Sequence, residues 1–348
     1  MNKIRRSRCL MAFWENGEFV LENYLSHKQC IVSPLVVQLL SGALEDYKDL
    51  GEVQLRFSKL PEGEKLLAEL LEQDILVQSD THLSAQEDQI NETWTWREDA
   101  KYFHFSSKHI RYQSDPKVQN AELVALSKSE PPPNIFKEYI GERRNLKPSL
   151  DEKGAFWETL LKRRTIREYR SEPLSFDLFS KLVQWTWGKT GHGRSEIGEF
   201  LLKTSPSGGA KHPVEVYPLV LNVKDLEAGL YHYSTRDNAL VLLKKGDFRE
   251  SAVQWCAHQQ WIRNTAVVFF MTAVLPRNMW KYRHSRALRI VLLETGHLGQ
   301  TFHLICTQLG LAPFTTAATY DEAIEAFLEI DGITETLVYT ASVGLPKN

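Results

Sequence analysis

Hydrophobic positions at helical or strand spacing divide the chain into three parts. In the first part, apolar residues recur at helical spacing from Leu35 to Leu44 and again between Pro61 and Gln73, and a short apolar run follows at residues 75–77. This pattern predicts two short helices and then a strand, which favours a small winged-helix-like module over residues 1–90. A peptide-binding role and a dimer-contact role both fit such a module.

The second part, residues 91–150, combines aromatic residues with a proline run. Trp94, Trp96, Phe103 and Phe105 make the start of this part rich in aromatic residues, and three consecutive prolines occupy positions 131–133. Proline has no backbone N–H and restricts the residue before it, so this run continues neither a helix nor a central strand. The pattern therefore predicts a semi-rigid connector, with the main boundary between Ser127 and Leu150.

The third part, residues 151–348, alternates between helix and strand patterns. An apolar stripe from Phe176 predicts a helix that Gly188 can end, and residues 286–309 predict a long helix with one apolar face. The stretches 214–223 and 266–274 are β-rich, and the runs on either side of residues 236–238 predict a hairpin. Together these patterns indicate the α+β class.

Composition and charge exclude several functional classes. The 348 residues are 43% hydrophobic and 25% charged, which is typical of a globular protein. The formal net charge of −2 disfavours a general nucleic-acid-binding protein. The apolar run 266–275 is too short to cross a membrane. The four cysteines are far apart, which indicates neither a structural zinc site nor a disulfide framework and leads us to expect a cytoplasmic protein.

Two short segments carry candidate binding chemistry. Arg163, Arg164 and Arg167 surround Thr165 at a predicted helix end, and guanidinium groups make forked, charge-assisted contacts to phosphate. Residues 204–213 place Gly208 and Gly209 among small hydroxyl residues, where the backbone can approach a flat ligand closely. Alone, the first segment also fits a solvated helix end and the second an ordinary loop.

The order of these segments resembles a known family. Arg-Arg-Thr-x-Arg-x-Tyr is followed by Ser-Pro-Ser-Gly-Gly-Ala-x-His-Pro, then Gly-Leu-Tyr-His-Tyr, then Glu-Thr-Gly-His-Leu-Gly-Gln. This succession resembles the FMN-dependent nitroreductase superfamily, and within it the SagB-type dehydrogenases, which oxidise thiazoline and oxazoline rings in peptide natural products. The resemblance covers residues 151–348 and extends more loosely over residues 94–150. It implies a nitroreductase-like sandwich with an antiparallel-rich sheet flanked by helices, and a homodimer with each FMN at the subunit interface. We expect no metal site.

The resemblance also implies which residues bind FMN. By motif position they are Arg163, Arg164, Thr165 and Arg167 at the phosphate and ribityl end, Ser205, Ser207, Gly208 and Gly209 along the isoalloxazine, Gln300 near the flavin, Phe314 and Thr315 after the long helix, and the late basic residue Lys347. The loop containing Phe314 and Thr315 lacks the glycines usual in this superfamily.

Lys281 and Tyr282 are the candidate catalytic pair. They precede the long helix and resemble a Lys-Tyr motif of azoline oxidases. Converting an azoline to an azole removes a hydride from one ring carbon and a proton from the next, so a base is needed beside the flavin. A free lysine and a free tyrosine both have a pKa of about 10, and the sequence leaves open which of the two accepts the proton.

We therefore expect an FMN-dependent azoline dehydrogenase that acts on a modified precursor peptide and works with a separate cyclodehydratase. One alternative is an NAD(P)H-dependent nitroreductase or quinone reductase, which has no need of a base for a ring carbon. The other alternative is a non-catalytic subunit of a peptide-modifying complex.

Overall fold

The fold was analysed in a computed structural model. It describes residues 3–41, 44–108, 112–113, 115–130, 152–196 and 198–347, together with Arg144 and Leu146. The predicted connector at 131–133 and the boundary residue Leu150 lie outside these residues.

Strands and helices are mixed in the described part of the N-terminal region. In chain order they are β1 (Lys3–Arg6), β2 (Leu10–Glu15), β3 (Glu18–Asn23), β4 (Lys28–Ile31), α1 (Pro34–Leu40), β5 (Lys48–Asp49), α2 (Leu50–Phe57), α3 (Gly63–Glu72), β6 (Leu76–Gln78), α4 (His82–Thr93), α5 (Glu98–Ser106) and α6 (Pro116–Ser129).

The C-terminal region begins with a helix and ends with a strand. Its elements are α7 (Ala155–Lys162), α8 (Phe176–Trp187), β7 (Lys189–Ser195), β8 (Gly198–Lys203), β9 (Val214–Val220), β10 (Gly229–Ser234), β11 (Ala239–Lys245), α9 (Arg249–Trp255), β12 (Val267–Val274), α10 (Pro276–Lys281), α11 (Ala287–Gln308), β13 (Ala312–Thr316), α12 (Asp321–Leu328) and β14 (Glu335–Gly344).

These elements form two compact units that do not follow the order of the chain. The first unit comprises Met1–Ile110, Leu275–Arg289 and Asp331–Glu335. The second comprises Arg111–Val274, Ile290–Ile330 and Thr336–Asn348. The segment that carries Lys281 and Tyr282 therefore folds with the N-terminal residues. The division into 1–90, 91–150 and 151–348 stays a prediction.

A six-stranded sheet forms the centre of the second unit. Its strand order is β11-β10-β9-β12-β14-β13, and the pairs β9–β10, β10–β11, β9–β12 and β13–β14 are antiparallel. One face is covered by the apolar side chains of α8 and α11, including Phe179 and Phe302. The other face is covered by α9 and α12, including Val253 and Ile324. Because both faces of the sheet are covered, β12 is buried along all but its last residue.

The first unit has its own core. Two three-stranded sheets, β5-β1-β6 and β2-β3-β4, pack with α1, α2 and α3 around buried apolar residues such as Ile4, Phe57 and Leu70. The Arg5 guanidinium and the Glu87 carboxylate form an ion pair inside this unit, and both side chains are completely buried. Glu87 also accepts hydrogen bonds from the Ser7 hydroxyl and the Arg8 backbone N–H. The first unit thus has an apolar core of its own and a buried ion pair.

The predicted α+β nitroreductase-like class is confirmed, and most predicted elements lie where expected. The N-cap Ser175 and Gly188 bound α8, α11 spans Ala287–Gln308, and β10 and β11 form the predicted hairpin. The interpretation of the first part was incomplete, because strands β1 to β5 and helices α2 and α4 were not predicted. The first predicted helix also ends earlier, at Leu40.

Candidate functional site

The arginine-rich segment lies between the edge strand of the central sheet and the C-terminal residues. Helix α7 ends at Lys162, and beyond it the Ile166 backbone N–H donates to the Pro313 carbonyl at 2.9 Å. On the C-terminal side, the Lys347 N–H donates to the Glu168 carbonyl at 3.2 Å. This pairing brings Lys347 alongside the arginine motif, although the two are far apart in sequence.

The cationic groups of this segment have no carboxylate partners among the described residues. Arg163, Arg164, Arg167 and Lys347 form no ion pair there. Arg164 instead donates to the Arg163 carbonyl at 2.7 Å, and the Arg167 guanidinium lies 5.1 Å from the Phe314 ring centroid. The four positive charges of this segment and of Lys347 are therefore not neutralised by carboxylates of the described residues. Such a cluster favours binding of an anion such as a phosphate.

His303 is a feature of this site that sequence analysis missed. It lies on α11, is 6% exposed, and its Nε2 is 3.2 Å from the Thr315 hydroxyl on β13. Burial and, to a lesser extent, the nearby Arg163 cation lower its pKa to about 4, so the imidazole is neutral at pH 7. Its Nδ1 has no hydrogen-bond partner in the described part of the chain. A single histidine on an apolar helix face gives no sequence signal that separates it from an ordinary core residue.

The loop 204–213 is held against α11 by its small side chains. The Ser205 hydroxyl is 2.6 Å from the Thr301 hydroxyl, and the Ser207 hydroxyl accepts from the His212 backbone N–H at 2.9 Å. A Cβ atom on Gly208 would lie 2.1 Å from Cγ2 of Ile290, so α11 requires glycine there. Gly209 is exposed and has a φ of 66°, a conformation that glycine adopts without strain. Ser205, Ser207 and Gly208 therefore also shape the loop itself.

The remaining predicted cofactor-binding residues lie on α11 and β13. Gln300 is exposed and directly precedes Thr301, which contacts the loop. Thr315 is half-buried beside His303, whereas the Phe314 ring is buried. The centroid of the Phe314 ring lies 5.4 Å from that of the Trp261 ring. Helix α11 thus contacts both the glycine-containing loop, through Thr301, and β13, through His303.

Lys281 and Tyr282 lie at the end of α10, in the first unit. Lys281 is the last residue of the helix and is exposed, and Tyr282 is its half-buried C-cap. The Lys281 Nζ lies 5.5 Å from the centroid of the Tyr282 ring. The ammonium and the phenol ring are therefore neighbours, whereas the predicted cofactor-binding residues belong to the other unit.

The residues of the second unit fit FMN. A phosphate needs cationic and N–H donors, which the arginine segment and Lys347 provide. A flat ring needs close backbone approach, which the exposed Gly209 allows. When bound, FMN would supply a hydride acceptor, and the chain's own residues would orient it.

Two further observations concern other classes of site. Among the described residues, no group of three or more His, Cys, Asp and Glu side chains could hold a metal ion. Glu294 and His297 have the Glu-x-x-His spacing of some metal sites, but they contact different residues. The Glu294 carboxylate lies 3.9 Å from the His212 imidazole, whereas the His297 imidazole lies 3.4 Å from the Pro206 carbonyl oxygen. No helix in the described ranges is long and apolar enough to cross a membrane.

Comparison with known sequences identifies relatives. A nitroreductase homologue of Methanocaldococcus jannaschii is 32% identical over 173 residues, which is 50% of this chain and 83% of that protein. The trifolitoxin-processing protein TfxB of Rhizobium leguminosarum bv. trifolii is 29% identical over 47% of this chain and 45% of its own length. The trifolitoxin operon protein TfxC of the same organism is 25% identical over 67% of this chain and 68% of its own length.

A solved structure shares the fold. One chain of the E. coli microcin synthetase McbBCD complex, determined with truncated pro-MccB17 bound, matches 75% of this chain and 97% of its own length. The TM-score is 0.55 and the sequence identity is 20%. At this identity the match concerns the fold.

The family itself is established by the sequence of the C-terminal half. Residues 160–345 match the nitroreductase family, and this stretch contains the arginine segment, the glycine-containing loop, α11 and β13. The resemblance to SagB-type dehydrogenases of the nitroreductase superfamily, stated from the sequence, is confirmed by the comparisons taken together. With more than half of its length matched, the chain belongs to the nitroreductase family.

Proposed function

We propose that this protein is an FMN-dependent dehydrogenase that oxidises thiazoline or oxazoline rings in a ribosomally made, modified peptide. The observation that carries the proposal is the cationic segment Arg163–Arg167. Its residue Ile166 pairs with Pro313 of β13, and the next residue after the segment, Glu168, pairs with Lys347. A nitroreductase-family chain with such a segment is suited to hold a flavin phosphate.

In this proposal the FMN phosphate and ribityl chain are bound by Arg163, Arg164, Thr165, Arg167 and Lys347. Charge-assisted hydrogen bonds to phosphate are about twice as strong as neutral ones, so these groups provide most of the cofactor affinity. The isoalloxazine ring lies along Ser205, Ser207, Gly208 and Gly209, with Gln300, Phe314 and Thr315 nearby.

A second copy of the chain is proposed to complete the flavin site. Helix α7, which leads into the arginine segment, exposes Phe156, Trp157, Leu160 and Leu161 in the single chain. An exposed apolar stripe on one short helix is costly in water and is typical of a surface that another protein covers. We therefore infer a homodimer in which α7 is buried.

Lys281 and Tyr282 are proposed to remove the proton from the azoline ring. Oxidation breaks two C–H bonds: a hydride leaves one ring carbon for the flavin, and a proton leaves the adjacent carbon for the protein. The Tyr282 phenolate is one candidate base, and the centroid of its ring lies 5.5 Å from the Lys281 Nζ. A neutral Lys281 amine is the other candidate base.

The relatives suggest the class of substrate and partner. TfxB is named for trifolitoxin processing, and the microcin synthetase complex contains a bound pro-peptide. We infer by analogy that this chain acts on a precursor peptide whose rings are formed by a separate cyclodehydratase. All four cysteines are free thiols, which suits a reaction in the reducing cytoplasm.

A nitroreductase or quinone reductase that uses NAD(P)H is the second candidate, favoured by the similarity to the nitroreductase homologue of M. jannaschii.

The two functions predict different products. The test is aerobic incubation of the FMN-loaded protein with an azoline-containing peptide, followed by mass spectrometry. Loss of two hydrogen atoms per ring, without NAD(P)H, supports the dehydrogenase. An unchanged peptide together with rapid NAD(P)H oxidation supports the reductase, and a protein that takes up no FMN contradicts both.

A further inference from the structure

The segment that carries Lys281 and Tyr282 is held by residues 186 positions earlier in the chain. The indole N–H of Trp96 donates to the backbone carbonyl oxygen of Tyr282 at 2.8 Å. The Trp96 side chain is 2% exposed, so its N–H is removed from water and depends on this carbonyl for a hydrogen bond. The bond fixes the backbone of Tyr282, whose phenol is one of the two candidate bases.

The beginning of α5 holds the residues that follow Tyr282. The Arg97 backbone N–H donates to the Ser285 hydroxyl at 3.0 Å, and this hydroxyl donates to the Asp99 carboxylate at 2.6 Å. The same hydrogen bond is the main reason why the pKa of Asp99 is lowered, so the carboxylate is ionised at neutral pH. Together with the Trp96 bond, these contacts attach residues 282–285 to residues 96–99 at three points.

The other end of α10 is attached to the same region. The Leu275 backbone N–H donates to the Thr334 carbonyl at 3.0 Å, and the adjacent Ile333 carbonyl accepts from the indole N–H of Trp94 at 3.1 Å. The rings of Trp94 and Trp96 are in edge-to-face contact, with centroids 5.7 Å apart. One packed pair of tryptophans therefore supports both ends of α10.

This arrangement matters because α10 has only six residues. A helix of this length is not stable by itself in water, so its geometry depends on tertiary contacts. Proton transfer needs the base within hydrogen-bond reach of its target, and a displacement of about 1 Å can reduce the rate by about a hundredfold. Contacts that fix the ends of α10 are therefore suited to fix the catalytic geometry.

We propose that Trp96 is a positioning residue for the Lys281–Tyr282 pair and that the N-terminal unit thereby takes part in the oxidation step. This inference rests on the proposed function, since it assigns a role to Trp96 in that reaction. Trp96 contacts only the backbone of Tyr282 and acts through it. Without the indole donor, the pair remains present but is held less firmly.

The test compares Trp96→Phe, which keeps an aromatic ring and removes the donor, with Trp14→Phe at an exposed site of the same unit. For Trp96→Phe we expect kcat for azoline oxidation to fall by about tenfold to a hundredfold, with KM and the FMN dissociation constant unchanged. In a background that carries both Lys281→Ala and Tyr282→Phe, the same substitution should add little further loss, because it acts through this pair. Ser285→Ala, which removes the second attachment, should lower kcat in the same way and provides the test if Trp96→Phe does not fold.

Hydrogen exchange supplies a readout that does not depend on the reaction. Loss of one hydrogen bond should raise exchange of the amides at 282–285 by about threefold to tenfold in Trp96→Phe and leave Trp14→Phe unchanged. Unchanged exchange overturns the inference, and so does an equal loss of kcat in the wild-type background and in the background that carries both Lys281→Ala and Tyr282→Phe. If exchange rises but the wild-type protein oxidises no azoline, the proposed function fails and the catalytic role of Trp96 fails with it.

Discussion

The backbone N–H of Lys347 donates to the carbonyl oxygen of Glu168, 179 residues earlier in the sequence, at 3.2 Å. Directly beside this contact, Tyr169 forms a β-bridge with Pro346, and the Arg170 N–H donates to the Leu345 carbonyl at 2.9 Å. The C-terminal residues thus form a short antiparallel pairing with the arginine segment. This pairing brings the backbone of Lys347 beside the arginine segment.

Removing one of these charges should weaken cofactor binding. We expect Arg167→Gln to raise the FMN dissociation constant by about tenfold to a hundredfold, because a hydrogen bond to a charged group contributes about 1.5–3 kcal/mol. Flavin fluorescence quenching on titration of the apoprotein measures this constant. Arg170→Gln is the matched control, since Arg170 is exposed and lies 4.0 Å from the Glu172 carboxylate. Equal effects of the two substitutions would mean that the segment binds no phosphate.

The contact between Gly208 and Ile290 makes a structural prediction. Gly208→Ala should lower the free energy of unfolding by about 1–3 kcal/mol, because the new methyl group overlaps Cγ2 of Ile290. Ile290→Leu, which removes the Cγ2 branch, should restore much of the loss in the double variant. Thermal unfolding followed by circular dichroism measures both.

Gly296→Ala is the matched control for this overlap. Gly296 lies on α11, as Ile290 does, but no atom lies within 4 Å of a Cβ added to Gly296. Alanine at this position should therefore stabilise the helix by about 0.5–1 kcal/mol. If Gly208→Ala stabilises the protein as Gly296→Ala does, the loop does not pack against α11 as described.

His303 should make stability depend on pH. Its pKa falls from an ordinary value of 6.5 to about 4 in the folded chain, so the unfolded chain binds more protons between these values. The free energy of unfolding should therefore decrease as the pH falls from about 6.5 toward 4, by up to about 3 kcal/mol. Urea unfolding across this range measures the slope. His303→Gln should flatten it, whereas His192→Gln, at an exposed position, should leave it unchanged. A slope that is the same in His303→Gln and wild type would refute this assignment.

The buried ion pair of the N-terminal unit should be sensitive to loss of one partner. Glu87→Gln removes the buried carboxylate partner of Arg5 and leaves the Asp88 carboxylate, 3.1 Å from the guanidinium and 40% exposed, as the other partner. Loss of one partner of a buried ion pair typically costs about 3–5 kcal/mol. The exposed pair Lys162–Glu158 provides the comparison, and Glu158→Gln should change stability by less than about 1 kcal/mol. Denaturant unfolding followed by tryptophan fluorescence distinguishes them. Comparable small changes in both variants would show that the Arg5 charge reaches water.

Local patterns predicted α8, β9, the β10–β11 hairpin, β12 and α11 in the second unit because these elements are strongly patterned. They did not predict α7, β7, β8, α9, β13, α12 or β14. The run at β12 is apolar on both faces, which only a strand buried between two layers explains, and Ser175 and Gly188 mark the ends of α8. In the first unit, β2 and β3 pair along Leu10–Glu15 and Glu18–Asn23 with mixed polar and apolar residues. Their stability comes from cross-strand contacts, which a one-dimensional pattern does not reveal.

The candidate site could be predicted only where its residues form a recognisable local motif. The arginine segment and the glycine-containing loop are such motifs, and the structure places both in the second unit. The support of Tyr282 by Trp96 depends on a single hydrogen bond between distant residues, and the position of His303 beside Thr315 depends on how α11 crosses β13. Neither relationship leaves a periodic or compositional signal in the sequence.

The central claim is that a peptide azoline, rather than NAD(P)H, reduces the flavin of this protein. The most direct test is an anaerobic visible-absorption titration of the FMN-loaded protein, with an azoline-containing peptide in one cuvette and NAD(P)H in another. Our account predicts that the peptide bleaches the flavin band, with one ring oxidised per flavin, and that NAD(P)H has little effect. Rapid bleaching by NAD(P)H with no response to the peptide would contradict it.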